Sequence, residues 1–178
     1  MIMTEFRKWP KTIRPKANTI IITEKMDGTN ACVVVENSEV VAVQSRNRFI
    51  KIGDDNMGFA VWVEQNKDEL VKLGDGYHFG EWVGEGIQKN PHNLTGKHFY
   101  LFNTRRPSDT LPDCVKQVPI LYHGEYDVAE IDRVYTELWQ RATGGEEPYM
   151  PEGLIVHFLA SDHRVKYTYT NQDGKWVK

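Results

Sequence analysis

Three short runs rich in β-branched residues, at 19–23 (TIIIT), 31–36 (ACVVVE) and 40–45 (VVAVQS), crowd the first quarter of the chain. Branching at Cβ restricts side-chain freedom in a helix and packs well on a pleated surface, so these runs demand strands. Only Asn37, Ser38 and Glu39 separate the last two, which predicts a hairpin. The same reasoning places strands at 77–82, 98–103, 117–122, 153–159 and 164–170, the final pair turning through Ser161, Asp162 and His163. A helix is expected over 59–73, where Phe59, Trp62, Val63, Leu70 and Leu73 share a face and Gly74 follows as the stop. A second is expected over 127–141. Asp127 and Glu130 have capping-box spacing there, Ile131, Val134, Leu138 and Trp139 form an apolar stripe, and Gly144 and Gly145 close it. The class is α+β, with mainly antiparallel sheets and a few flanking helices.

At 178 residues such a chain withdraws roughly 70% of its unfolded surface from water, enough for one core without metal or disulfide support. No repeat or linker divides it, and the 107–112 stretch between two prolines is short enough to be a loop. The longest apolar run falls far below the ~20 residues of a membrane span, and residues 1–11 lack a continuous apolar leader. A cytoplasmic protein without membrane contact is expected. Cys32 and Cys114 lie outside any metal or disulfide spacing, and the six histidines show no paired ligand pattern. A net charge of -3 argues against a protein that coats nucleic acid and leaves room for a local basic groove.

The densest chemical signal is Glu24-Lys25-Met26-Asp27-Gly28-Thr29-Asn30, a lysine at a strand end before a glycine-containing turn. A lysine amine attacks only when deprotonated, which a rigid strand end in a partly desolvated, cation-lined pocket favours. Alone, the segment reads equally as an Asp-Gly turn beside an exposed charge. Five further segments follow in order: Ser45-Arg46-Asn47-Arg48, FGEWVGEGIQ at 79–88, FYLFN at 99–103, EGLIV at 152–156, and Arg164-Val165-Lys166. Each falls at a predicted strand or strand end. Together they resemble the covalent nucleotidyltransferase superfamily of ATP-dependent ligases and capping enzymes, and within it the RNA ligases, over nearly the whole span from Lys25 to Lys166.

The resemblance implies a single nucleotidyltransferase (ATP-grasp-like ligase adenylation) domain over residues 1–178 that uses ATP with Mg²⁺ or Mn²⁺. Lys25 would attack the α-phosphorus, release pyrophosphate and carry AMP as a phosphoramidate. AMP would then pass to a 5′-phosphate end, and a 3′-hydroxyl would seal the strand. Arg164 and Lys166 would supply cations for the developing phosphoryl charge; alternation puts them on one face of a strand. The family usually has lysine where Arg164 stands, and many relatives have aspartate where Asn103 stands. Glu81 would face the ribose, Glu152 the metal, Asn30 and Arg46 the ribose and phosphates, and Glu24 and Met26 the base site. Phe102 would stack on adenine, although alternation in HFYLF serves core packing equally. Arg46 and Arg48 also read as exposed turn charges.

Lys89, His92, Lys97, Arg105 and Arg106 form a loose basic region where a polynucleotide could lie, or simply a charged surface. The expected partner is nucleic acid, RNA before DNA, weakly gripped or held with a partner protein, because only 167–178 follow Lys166 and no appended C-terminal domain fits. Capping enzymes that use GTP share the Lys-x-Asp-Gly core, so the base is carried by resemblance alone. A minimal DNA ligase and a catalytically silent nucleotide-binding module are the competing readings. Paired carboxylates also suit a glycosidase, but that chemistry leaves Lys25 idle.

Overall fold

The computed structural model describes residues 11, 12 and 18–169; Thr170, expected to end the last strand, and most of the N-terminal stretch read for a leader lie outside them. The elements run β1 (Thr19–Glu24), β2 (Thr29–Glu36), β3 (Glu39–Ser45), β4 (Phe49–Ile50), α1 (Phe59–Leu70), β5 (Gly76–Gly84), β6 (Lys97–Leu101), β7 (Val115–Gln117), β8 (Ile120–Glu125), α2 (Val128–Gly144), β9 (Gly153–Phe158) and β10 (His163–Thr168). They form a four-stranded sheet, β10-β9-β1-β8, and a six-stranded sheet, β4-β3-β2-β5-β6-β7. Every pairing is antiparallel except β6 with β7. No helix of the described residues is long and apolar enough to cross a membrane.

β1 and β2 are interior strands buried on both faces, which is why they read as unbroken apolar runs. Ile20 and Ile22 of β1 pack with Ile131, Val134 and Leu138 of α2, giving the smaller sheet its core. Ala31, Val33 and Val35 of β2 face α1 and a cluster of Phe59, Trp62, Trp82 and Phe99 whose ring centroids lie 5.1–5.9 Å apart. A third, smaller cluster joins Met26 and Val118, on the two crossings between the sheets, to Val83 and Tyr100 of the larger sheet. The β2–β3 hairpin turns through Asn37 and Ser38, both with positive φ, and the Asp75 carboxylate accepts their backbone N–H groups at 3.1 and 3.2 Å. That is the primed turn geometry hairpins favour, supported from outside.

Three local expectations change. The strand expected over 117–122 is two strands, because Val118 and Pro119 carry the chain from the larger sheet to the smaller: Val118 N–H donates to Leu101 and Glu24 N–H donates to Pro119. Proline has no N–H to extend a ladder, so the strand divides there. The helix expected over 59–73 is α1 followed by a 3₁₀ turn, Val71–Leu73, before Gly74 at φ 77°. At α2, the Asp127 side chain accepts from Ala129 N–H at 2.9 Å, but Glu130 does not complete a capping box; its carboxylate takes Arg133 at 2.7 Å instead. α1 has no cap of its own and uses Asp55, which accepts from Ala60 and Val61 N–H at 2.7 and 3.1 Å.

A Cβ at Gly80 would overlap the Phe99 ring and the Tyr100 carbonyl, whereas a Cβ at Gly144, the last residue of α2, meets nothing within 4 Å. Gly80→Ala is therefore expected to lower the urea unfolding free energy by about 2 kcal/mol. Gly144→Ala is expected to leave it unchanged or to raise it by up to about 1 kcal/mol. Equal midpoints for Gly80→Ala and the parent would refute the packing argument.

Candidate active site

β1 ends at Glu24, and Lys25 follows with its N–H donated to Gly153 at 2.8 Å, so the lysine is fixed by backbone to the start of β9. The residue before β9 is Glu152, and the Lys25 Nζ and Glu152 Oε1 atoms form an ion pair, each side chain about a quarter exposed. Gly153 permits this: its φ is 149°, and a Cβ would collide with the Tyr167 carbonyl across the β9–β10 pairing. Gly28 has a similar role on the other side. A Cβ there would overlap the Trp82 carbonyl and Val83, so the close approach it allows is to β5 rather than to a ligand.

That approach brings Gly28 N–H to the carboxylate of Glu81, which pairs across the sheet with Asn30. Burial pushes the Glu81 carboxyl up to about 7; Glu152 raises it further, while Lys25, Arg46 and the Gly28 N–H oppose the rise. Asp27 is raised from the ordinary carboxylate range for the same reasons, burial first and Glu152 next, with Lys25 opposing. Three carboxylates thus crowd one ammonium. Among the described residues, however, no three His, Cys, Asp or Glu side chains converge closely enough to hold a metal alone. A divalent cation here fits only as Mg²⁺ and Mn²⁺ commonly bind, through one or two carboxylates plus ligand phosphates, with Glu152 best placed beside Lys25.

Lys25 opens into a cavity of about 260 Å³ walled by Glu24, Met26, Asn30, Arg46, Glu81, Phe102 and Arg164, with Val118 and Ile155 supplying apolar surface. Phe102 is 40% exposed on this wall while Phe99 and Leu101 fill the core, so it is not a core residue. Arg164 reaches the cavity and is also held by Asp162 at 3.0 Å. Lys166 is exposed and does not form part of the wall, although its β9 neighbour Ile155 does. Arg48 turns away to Asp54 at 2.9 Å. Asn103 caps its own loop, accepting from Arg105 N–H at 3.1 Å.

Of the basic region expected beyond GxGIQ, His92 is withdrawn and two members are engaged by backbone carbonyls. Lys97 donates to the Met57 carbonyl at 2.8 Å, Arg106 donates to Leu73, and the His92 side chain is buried, while Lys89 and Arg105 stay exposed. His92 is instead a support of the site that the sequence concealed. Asp27 N–H donates to its Nε2 at 3.0 Å, which requires the neutral tautomer with Nδ1–H turned toward Glu24 at 3.6 Å. Burial, and Lys25 nearby, lower its pKa to about 4. Tyr149 completes this layer by donating its hydroxyl to Glu24 Oε1 at 2.7 Å, and burial raises the Glu24 carboxyl. His92 and Tyr149 lie 65 and 125 residues from their partners, so no local spacing announces them.

Glu81 titrates near 7 folded and near 4.5 unfolded, so between those values the folded chain holds a proton the unfolded chain lacks. Its contribution therefore weakens stability as pH rises through this window and keeps it weakened above 7. Glu81→Gln, which can still accept from Gly28 N–H, should gain in urea midpoint relative to the parent at pH 8 but not at pH 5, both in EDTA. The same gap at both pH values would contradict the assigned burial.

A model of the RNA ligase family matches residues 18–168. No curated protein sequence matches the chain. Among solved structures, a variant of Naegleria gruberi RNA ligase with AMP and Mn is similar at TM-score 0.63 and 22% identity, over 86% of this chain and 50% of that one. A variant with ATP and Mn gives 0.62 and 24%, and an apo variant 0.61 and 22%, with the same coverage. The chain thus spans half the length of that enzyme, and at this identity the likeness is one of fold. The family match carries the assignment, since its span includes every motif from Lys25 to Lys166: this chain belongs to the RNA ligase family.

Proposed function

We propose that the chain is an ATP-dependent nucleotidyltransferase of the RNA ligase type, with Lys25 as its nucleophile. The observation that supports this best is the placement of Lys25: fixed by backbone, paired with Glu152, and open to a cavity whose wall offers an exposed aromatic ring and two arginines. Relatives in fold are recorded with AMP or ATP and Mn, which agrees with such a ligand.

In this reading adenine stacks on Phe102 with Ile155 on the wall, while Glu24 and Met26 shape the floor of the base site. Asn30, Arg46 and Glu81 take the ribose and phosphate side. Lys25 Nζ, freed of its proton, forms a bond to the α-phosphorus as the bond to pyrophosphate breaks. Arg164, on the wall, offsets the charge on the phosphoryl oxygens, and Lys166, exposed beside Ile155 and outside the wall, would have to swing inward to join it. A divalent cation bound by Glu152 and the phosphates would add positive charge at the same oxygens. In the next step a 5′-phosphate oxygen attacks the adenylate, the P–N bond breaks, and the amine regains a proton. A 3′-hydroxyl then displaces AMP from the activated end.

The ion pair sets a condition on the first step. A protonated, carboxylate-paired lysine cannot attack, so Glu152 must exchange Lys25 for another cation before the amine is free. His92 and Tyr149 hold Asp27 and Glu24, and so keep the two residues flanking this exchange in place.

With labelled ATP and Mg²⁺ or Mn²⁺, the parent protein should acquire an acid-labile adenylate and Lys25→Ala should acquire none, read by mass spectrometry. An unlabelled parent, or a labelled Lys25→Ala, would overturn the covalent mechanism. On nicked duplexes with 5′-phosphate ends, sealing should be faster with RNA than with DNA at the nick; preference for DNA would move the reading to a DNA ligase.

A further inference from the structure

Tyr77 and Phe79 are 60% and 45% exposed, and neither belongs to a core cluster nor lines the Lys25 cavity. They alternate along β5 with His78 and Gly80, so both rings leave the same face of the strand as Glu81, two residues further on. Their planes are within 16° of parallel and their centroids are 6.2 Å apart. Both face a second cavity, of about 590 Å³, whose wall also includes Phe102, Arg105 and Arg164. It adjoins the Lys25 cavity, since Asn30, Phe102, Thr104, His157 and Arg164 line both.

We propose that this aromatic and arginine wall is a base-stacking subsite for the single-stranded end of a polynucleotide, leading its terminal phosphate toward Lys25. The inference rests on the nucleotidyltransferase reading for the direction of the strand, and on the geometry for the binding. Flat apolar rings accept any base on its π-face, and arginines beside them accept phosphate or stack in turn. The one carboxylate on the wall, Asp162, is already engaged by His157 at 2.7 Å and Arg164 at 3.0 Å, so the unspent charge there is positive. A peptide would find the same rings, but the arginines and the adjoining Lys25 cavity favour an anionic strand. Because Tyr77 and Phe79 stand on an interior strand of the larger sheet, their separation is set before binding.

The test uses a fluorescent, 5′-phosphorylated, ten-nucleotide RNA and the full chain, with affinity read by anisotropy at fixed salt. Tyr77→Ala combined with Phe79→Ala should bind at least about tenfold more weakly, as loss of one stack suffices. Tyr77→Phe combined with Phe79→Tyr should stay within about twofold of the parent. Charging with AMP from ATP, measured on the same samples, should be unaffected in both double variants and so reports that they are folded. If the alanine pair loses charging, the two single alanine variants carry the same comparison. Equal affinity of alanine variants and parent overturns the inference and leaves the rings to a protein partner. A parent that binds the RNA and loses it on alanine substitution, yet never charges, upholds the subsite and overturns the proposed chemistry instead.

Discussion

The crossing from the smaller sheet to the larger at residues 25–28 governs the site. β1 is pinned between β8 and β9, and β2 between β3 and β5, so the four residues that join them have almost no freedom. Lys25 is tied by its N–H to Gly153, Asp27 by its N–H to His92, and Gly28 by the nearness of the Trp82 carbonyl. Each tie comes from a different part of the chain. Fixing the backbone at three neighbouring points sets where the lysine side chain starts, and the ion pair with Glu152 restrains the torsions of its four methylenes. The same geometry explains why two glycines flank the cavity: at Gly28 and Gly153 a backbone approach, not a turn, forbids a side chain.

Electrostatically the site is short of positive charge. Asp27, Glu81 and Glu152 act on one another and on Lys25, and burial raises the first two. In water three carboxylates near one ammonium would be screened, but in a half-buried cleft each adds to the cost of ionising its neighbours. A divalent cation arriving with a ligand's phosphates would offset this charge. Glu24 beneath does not share the problem. Burial raises its carboxyl, while the Tyr149 hydroxyl donated to it and Arg141 at 3.9 Å oppose the rise, and these contacts make it a rigid floor.

What the sequence made legible follows from how local each signal was. The β-branched runs and the order of motifs depend on residues within a few positions of one another, and both led to strands where strands stand. GEWVGEGIQ carried the family likeness, yet in the structure Trp82, Val83 and Ile87 are core and Gly80 and Gly84 are contact points with neighbouring strands. Only Glu81 of that segment faces the cavity. A motif can thus identify a family chiefly through packing. His92 was read as part of a basic surface because a histidine in an Asn-Pro-His-Asn loop looks exposed, and its burial is decided by Tyr149, far along the chain. The break at Pro119 was missed because strand propensity on both sides masked one absent N–H.

Those corrections bear on how a chain of net charge -3 could hold an anionic strand. Binding by counterion release needs several cations aligned on phosphates, and with His92 buried and Lys97 and Arg106 engaged by carbonyls fewer remain for it. Stacking makes no such demand: it draws on ring area, depends little on salt, and tolerates every base. If the proposed subsite holds, an acidic domain with exposed rings would grip a strand end locally while repelling the rest of a duplex. Selectivity for ends, where bases are free to leave the stack, over interior sites, where they are not, would follow from that proposal.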